Sequence, residues 1–309
     1  MSDRQKTLRR EYIFEGKGLH SGQNVRMKLS PAPVNHGIRF LRQDLGDNPV
    51  IEAVVDYVTY TQRGTTLENG EVRISTLEHL MAAFYGLGVD NALVTIDNFE
   101  VPILDGSALP YVRAIAPDGL EEQDADRQYL VVRKPIHYKD DKTGSEITVL
   151  PAEEFSVDLT IDFNSHVLGV QKFHYDNSVD FATEIAPCRT FVFFHELEFL
   201  FKNNLIKGGD LENALVIVEH PVPEEDLARM AALFNVDKVD RLPEGYLDNV
   251  RLHFPDECAR HKLLDLIGDF SLVGRHIKGH VIADKSGHRI NTAVARIMRE
   301  EILRNESNK

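Results

Sequence analysis

Two stretches of this chain, far apart in sequence, run through the same order of elements: apolar helix, strand, glycine turn, helix. The first passes from Ser75-Thr76-Leu77-Glu78-His79 through Asn91-Ala92-Leu93-Val94-Thr95-Ile96 to Asp105-Gly106-Ser107 and a helix over 108–115. The second passes from His261 through a strand over 279–283 to Ser286-Gly287-His288 and a helix over 292–303. Their spacings agree: His79 to Ser107 is 107 − 79 = 28 positions, and His261 to His288 is 288 − 261 = 27. Strand-like segments precede each stretch. A sheet with one apolar face must cover it with another layer. The pattern therefore predicts an α+β protein of two similar units, each a β-sheet backed by two helices. The helical layers would pack between the sheets as a β-α-α-β sandwich.

Finer periodicity fills in the elements. Val25, Met27 and Leu29 alternate with Asn24, Arg26 and Lys28 as in a half-buried strand. Ile38, Phe40, Val54-Val55 and Tyr57-Val58 suggest further strands. Ser75 followed three residues later by Glu78 has capping-box spacing. The helix it would open carries Leu77, Leu80, Met81 and Phe84 on one face and ends near Gly86 or Gly88. Pro117-Asp118-Gly119 and the polar run Glu121-Glu122-Gln123-Asp124-Ala125-Asp126 read as a linker. The expected units are therefore 1–126 and 127–309. A second sheet would begin at Tyr129-Leu130-Val131-Val132 and continue through 147–150 and 157–161.

With 309 residues, length alone suggests about two domains. The net charge of −14 argues against broad nucleic-acid binding, which needs a basic footprint. Two cysteines, Cys188 and Cys258, suit a reducing compartment better than a disulfide framework. The first residues lack the apolar core of a signal peptide. No stretch approaches the roughly 18 apolar residues of a membrane span. The expectation is a soluble, cytoplasmic protein with no partner protein evident in the sequence.

The chemistry concentrates in a few residues. His261 and Asp265 are four apart, so on a helix they share one face and could share a cation, zinc being the usual choice. Taken alone, such a pair is more often solvated or capped. Here the helix is apolar on several sides, and a buried carboxylate needs a cation or donor. Asp269, one turn further on, could orient a histidine. Glu78 and His79 are adjacent and diverge by roughly 100° on a helix, so Glu78 would reach a water rather than ligate beside His79. His288 in its turn supplies a further imidazole. Three ligands, a carboxylic acid and a spare imidazole are the parts of a zinc hydrolase with an open fourth position.

A set of short motifs occurs here in one order: Gly18-Leu19-His20-Ser21-Gly22, Ser75-Thr76-Leu77-Glu78-His79-Leu80, Gly88-Val89-Asp90-Asn91 and Pro102-Ile103-Leu104-Asp105-Gly106-Ser107-Ala108. Arg189-Thr190-Phe191, Arg260-His261-Lys262, Asp265-Leu266-Ile267-Gly268-Asp269 and Ser286-Gly287-His288 follow. Together, over nearly the whole chain, they resemble the UDP-3-O-acyl-N-acetylglucosamine deacetylase family of lipid A biosynthesis. That resemblance implies Zn²⁺ held by His79, His261 and Asp265, and an acylated UDP-N-acetylglucosamine substrate. It implies Glu78 as general base, His288 as the cation beside the oxyanion, and Asp269 as its support. Thr190 would donate to the substrate carbonyl, and Lys262 and Phe191 would contact the sugar nucleotide. His20 would lie near the acyl or ester region. Either Glu78 or His288 could protonate the leaving amine.

The implied substrate also carries a long acyl chain. The stripe Phe194, Leu197, Phe201, Leu205, Ile206 and Leu211, in an insert near 193–211, is expected to line a hydrophobic passage rather than fill a core. The Pro- and acid-rich stretch between Val218 and Arg251 is longer than in typical members. It should decorate the surface, with a short helix near 225–234. Some members continue into a 3-hydroxyacyl-carrier-protein dehydratase; this chain is expected to carry the deacetylase part. A rival reading, a non-catalytic scaffold with structural histidines, predicts no stoichiometric metal. Zinc hydrolysis of some other amide would share the metal and differ in substrate.

Overall fold

A computed structural model describes residues 3–197, 210–234, 236–249 and 251–307. In the first sheet the strands run Tyr12–Lys17, Asn24–Pro31, Ala92–Ile96, Ile38–Arg42 and Val50–Glu52 across its width. In the second they run Ile136–Asp140, Ser145–Leu150, His276–Asp284, Phe155–Asp162 and Val170–Tyr175. The two orders are the same. In each sheet the strand latest in the chain lies at the centre, antiparallel to the second strand and parallel to the third. The expected duplication is thus present in the topology. The second sheet gains Tyr129–Val131, parallel to the start of its central strand.

The strands follow from alternation. Along Asn24–Pro31, Val25, Met27 and Leu29 are buried, with Asn24 and Arg26 exposed between them. Five helices are named here: α1 Glu78–Leu87, α2 Leu109–Ile115, α3 Glu224–Leu233, α4 Glu257–Ser271 and α5 His288–Ser307. Gly88, with φ +81°, ends α1 in the left-handed conformation that glycine adopts without a steric penalty. Helices α1 and α4 pack against each other at very short range. A β-carbon on Gly268 would lie 2.2 Å from the Glu78 carbonyl oxygen, so only glycine permits this approach. It brings the start of α1 beside the acidic face of α4. The main core joins both sheets across this helical layer, including Phe40, Leu80, Phe84, Leu264, Phe270 and Val281.

Several expectations need correction. The polar run 120–126 is a strand, not a linker; Leu120–Asp126 pairs antiparallel with Arg4–Leu8. Its exposed acids face solvent on an edge, which composition cannot distinguish from a loop. Val54-Val55 does not form a strand. Val55–Tyr57 is a 3₁₀ turn whose backbone bonds go to Leu272 and Arg296, and only Val58–Tyr60 is extended. The capping box at Ser75 does not form, because Ser75 ends a strand and its hydroxyl takes the hydrogen of Thr66 Oγ1. Helices α4 and α5 start four residues earlier than expected, at Glu257 and His288.

Among the described residues, no helix is long and apolar enough to cross a membrane. Cys188 and Cys258 are buried free thiols. The stretch after Val218 does not merely decorate the surface. Met230, Ala231, Val239 and Leu247 form a second apolar core with Leu197, Leu211, Val216 and Val218.

Candidate metal centre and its cavity

The strand Val72–Ser75 turns into α1 through Thr76, whose φ of +57° is unusual for a β-branched residue. Two bonds hold it there: its N–H donates to Thr65 O at 3.0 Å and its hydroxyl to Glu100 Oε1 at 3.1 Å. With no side-chain cap formed, Glu78 and His79 sit in the first turn of α1, both buried. From α4, His261 and Asp265 project one turn apart, as their spacing requires. His79 Nε2 lies 3.7 Å and His261 Nε2 3.4 Å from Asp265 Oδ1. These three ligand atoms all fall within 4.8 Å of one another.

The set fits a metal on two counts. Donors bound at about 2 Å to a tetrahedral ion stand roughly 3.3 Å apart, close to the two imidazole–carboxylate spacings. The tautomer also fits. His261 Nδ1 donates to Cys188 O at 3.0 Å, which leaves Nε2 as the lone pair facing its partners. Burial pushes the His261 pKa down to about 4, so the ring is neutral as a ligand must be. Burial would raise Asp265, yet Lys262, His261 and His288 hold it well below the usual carboxylate range. Lys262 Nζ donates to Asp265 Oδ2 at 2.7 Å.

A second group flanks the triad. His288, the first residue of α5, places Nε2 3.8 Å from Glu78 Oε1 and 3.9 Å from Asp265 Oδ2. Its Nδ1–H donates to Asp269 Oδ2 at 2.9 Å. Burial alone would lower the His288 pKa; Asp269 and Asp265 outweigh it and raise it to about 9. The ring is therefore cationic near neutral pH. Burial pushes Glu78 up from its ordinary value, against His288 and His79, which pull it down. The result is a carboxyl group with raised basicity beside an imidazolium.

These groups open into a cavity of about 530 Å³ that carries Glu78, His79, His261 and His288 on its wall. Thr190, Phe191, Lys262, His20, Leu197 and Leu211 also line it. Phe194 is not among the lining residues and packs against the second apolar core. Ile206, with Phe201 and Leu205, lies outside the described residues. Asp269 stays behind the wall, at 0% exposure. Thr190 is fixed by its backbone, its N–H donating to Gly106 O at 2.9 Å and its carbonyl accepting from Leu215. His20 sits in the hairpin turn after Tyr12–Lys17. Buried Glu100 accepts the N–H groups of His20 and Ser21 at 2.9 and 2.8 Å.

Several contributors were not found from the sequence. Glu100 carried a signal, an acid within Phe99-Glu100-Val101-Pro102, where an unpaired charge would be costly. Thr65 and Asn291 carried none. Phe163 and Phe234 also line the cavity, and Phe234 comes from the stretch expected to be surface decoration; Phe193, from the insert expected to line a passage, lines it too.

Two sheets with facing helices, meeting at a buried His₂Asp set beside a second carboxylate, define an α+β protein with a metal-compatible centre at its helical seam. A family profile described as UDP-3-O-acyl N-acetylglycosamine deacetylase matches residues 5–239 and 239–300, and the chain belongs to that family. It is 45% identical over 304 residues to a bifunctional enzyme LpxC/FabZ of Porphyromonas gingivalis, covering 98% of this chain and 66% of that protein. A like-named protein of Bacteroides thetaiotaomicron is 45% identical over 303 residues, again 66% of its length. The chain thus spans just under two thirds of these bifunctional relatives. It is 42% identical over 293 residues to a UDP-3-O-acyl-N-acetylglucosamine deacetylase of Myxococcus xanthus, covering 94% of this chain and 85% of that one.

Proposed function

We propose that this chain hydrolyses the N-acetyl group of UDP-3-O-acyl-N-acetylglucosamine, giving UDP-3-O-acyl-glucosamine and acetate. The reaction is zinc-dependent, takes place in the cytoplasm and serves lipid A biosynthesis. One observation carries the reading: the His79, His261 and Asp265 donors converge within 4.8 Å beside Glu78 and the His288–Asp269 pair. Family membership supports the substrate.

In this reading His79, His261 and Asp265 hold Zn²⁺, which, when bound, acidifies water and polarises the amide carbonyl. Glu78, its basicity raised by burial, accepts the proton of the attacking water, and as the C–N bond breaks either Glu78 or His288 gives a proton to the leaving amine. Cationic His288 and the Thr190 hydroxyl stabilise the charge that develops on oxygen. Asp269 fixes the His288 ring through Nδ1 and keeps Nε2 pointed at the reacting centre. Lys262 and Phe191 contact the sugar nucleotide, and His20 faces the acyl ester. Leu197 and Leu211 line the apolar end that takes the acyl chain. We place the two units at 1–126 and 127–309, since the first sheet closes before the boundary and the second opens after it.

The purified protein tests this. It should contain about one zinc per chain and release acetate from the acylated UDP-sugar, with little release from simple acetamides. Chelation should abolish turnover, and added zinc should restore it. Stoichiometric metal with equal action on simple acetamides would favour a general amide hydrolase. Absence of metal together with absence of turnover would favour the scaffold reading.

A further inference from the structure

Thr65 immediately precedes the strand Thr66–Asn69 of the first unit, with its side chain buried between the two units. It reaches Glu78 and Asp269 at once. Its N–H donates to Glu78 Oε2 at 3.0 Å. Its hydroxyl donates to Asp269 Oδ1 at 2.5 Å and lies 3.3 Å from His288 Nδ1. Asp269 thus receives three donors: Thr65 at Oδ1, and His288 and Asn291 at Oδ2, the last at 2.9 Å. The residue before it adds a steric limit. Gly64 has φ +153°, and a β-carbon there would sit 3.0 Å from Glu78 Oε1.

We propose that Thr65 is a positioning residue that fixes Glu78 and the Asp269–His288 pair in one relative geometry. The physical reason is the division of labour between its two donors. Glu78 belongs to α1 and the first unit; Asp269 and His288 belong to α4 and α5 of the second. Any slip between units changes the Glu78–His288 separation. A residue bonded to both carboxylates opposes that slip and also denies Asp269 Oδ1 to other donors. Asp269 is then left to orient the imidazole through Oδ2. The role rests on the reading of Glu78 and His288 given above.

Two substitutions separate orientation from folding. Thr65→Val keeps the shape and the backbone donor to Glu78 but removes the hydroxyl; Thr65→Ser keeps both donors. In zinc-loaded protein, Thr65→Val should lower kcat roughly 10- to 100-fold, the usual scale for losing an outer-shell partner. KM, metal content and thermal midpoint should hold. Thr65→Ser should recover most of kcat. The ¹⁵N resonance of His288 Nδ1, which reports its bond to Asp269, should move in Thr65→Val and return in Thr65→Ser. A wild-type kcat in Thr65→Val, or a loss that tracks metal content or stability, overturns the proposal. So does an unmoved His288 resonance, or a serine variant no better than valine. A wild-type protein without deacetylation would sink the functional reading instead, while the resonance would still decide the role of Thr65.

Discussion

The two units share a strand order but use it differently. In the first, the glycine turn after the central strand is Asp105-Gly106-Ser107, and it serves the scaffold. Gly106 accepts from Thr190, and a β-carbon there would collide with the Asn213 carbonyl. In the second, the equivalent turn Ser286-Gly287-His288 carries the imidazolium of the site. The first helices differ as well. Glu78 and His79 stand in the opening turn of α1, whereas His261, Asp265 and Asp269 extend along the buried face of α4. A repeated architecture thus supplies two helix faces that meet, and the side chains on them have diverged into complementary halves of one centre.

This asymmetry is open to experiment, and the largest effect should come from the second unit. Asp265→Ala removes the carboxylate shared by His79, His261 and Lys262 and leaves the half-buried Lys262 ammonium without that partner. Metal retention by elemental analysis should fall below stoichiometry. Deacetylation should drop by more than the about 10⁴-fold upper end seen for loss of a general base. Normal values for both would end the metal-centre reading.

From the first unit, Glu78→Ala should keep the metal and lower kcat by about 10²–10⁴-fold. A variant that instead loses metal would show that Glu78 ligates, and the division between units would have to be redrawn.

Glycines at the helical seam sharpen the comparison. Gly268→Ala drives a β-carbon toward the Glu78 carbonyl, a backbone wall, and should cost roughly 1–3 kcal/mol in denaturant unfolding. Gly86→Ala meets the buried Phe181 ring, a side chain rather than backbone, and should cost less. Equal costs would mean that the two helices do not pack through Gly268 as described.

The last contrast concerns pH. His276 begins the central strand of the second sheet, stacked 4.5 Å over Tyr85; its counterpart in the first sheet begins at Ala92. Burial, with Arg127 nearby, pushes the His276 pKa from 6.5 down to about 3. The unfolded chain therefore takes up a proton that the folded chain refuses. The His276 contribution to stability is complete above pH 6.5 and is lost as pH falls toward 3. Denaturation midpoints between these limits should fall less steeply in His276→Phe. Parallel slopes for the two proteins would refute the assignment.

Much of the architecture was legible before any coordinates. The 28- and 27-residue spacings anticipated the repeat, and the i, i+4 step from His261 to Asp265 anticipated their shared face, because helical geometry is local. The acidic strand 120–126 was misread because an exposed edge strand and a loop share a composition. The capping box at Ser75 failed for a tertiary reason: strand pairing and Glu100 claimed the hydroxyls of Ser75 and Thr76. Thr65 and Asn291 bore no pattern at all, since their roles arise from partners 204 and 22 positions away.

By itself, the sequence determined which residue types stand one turn apart and how often the chain repeats its plan, because both depend on short-range periodicity. Only the tertiary structure decided that His79 meets His261, that Glu78 gains basicity and that His288 holds its proton. Those properties come from burial and from charges brought together across the helical seam, where Gly268 lets two backbones approach.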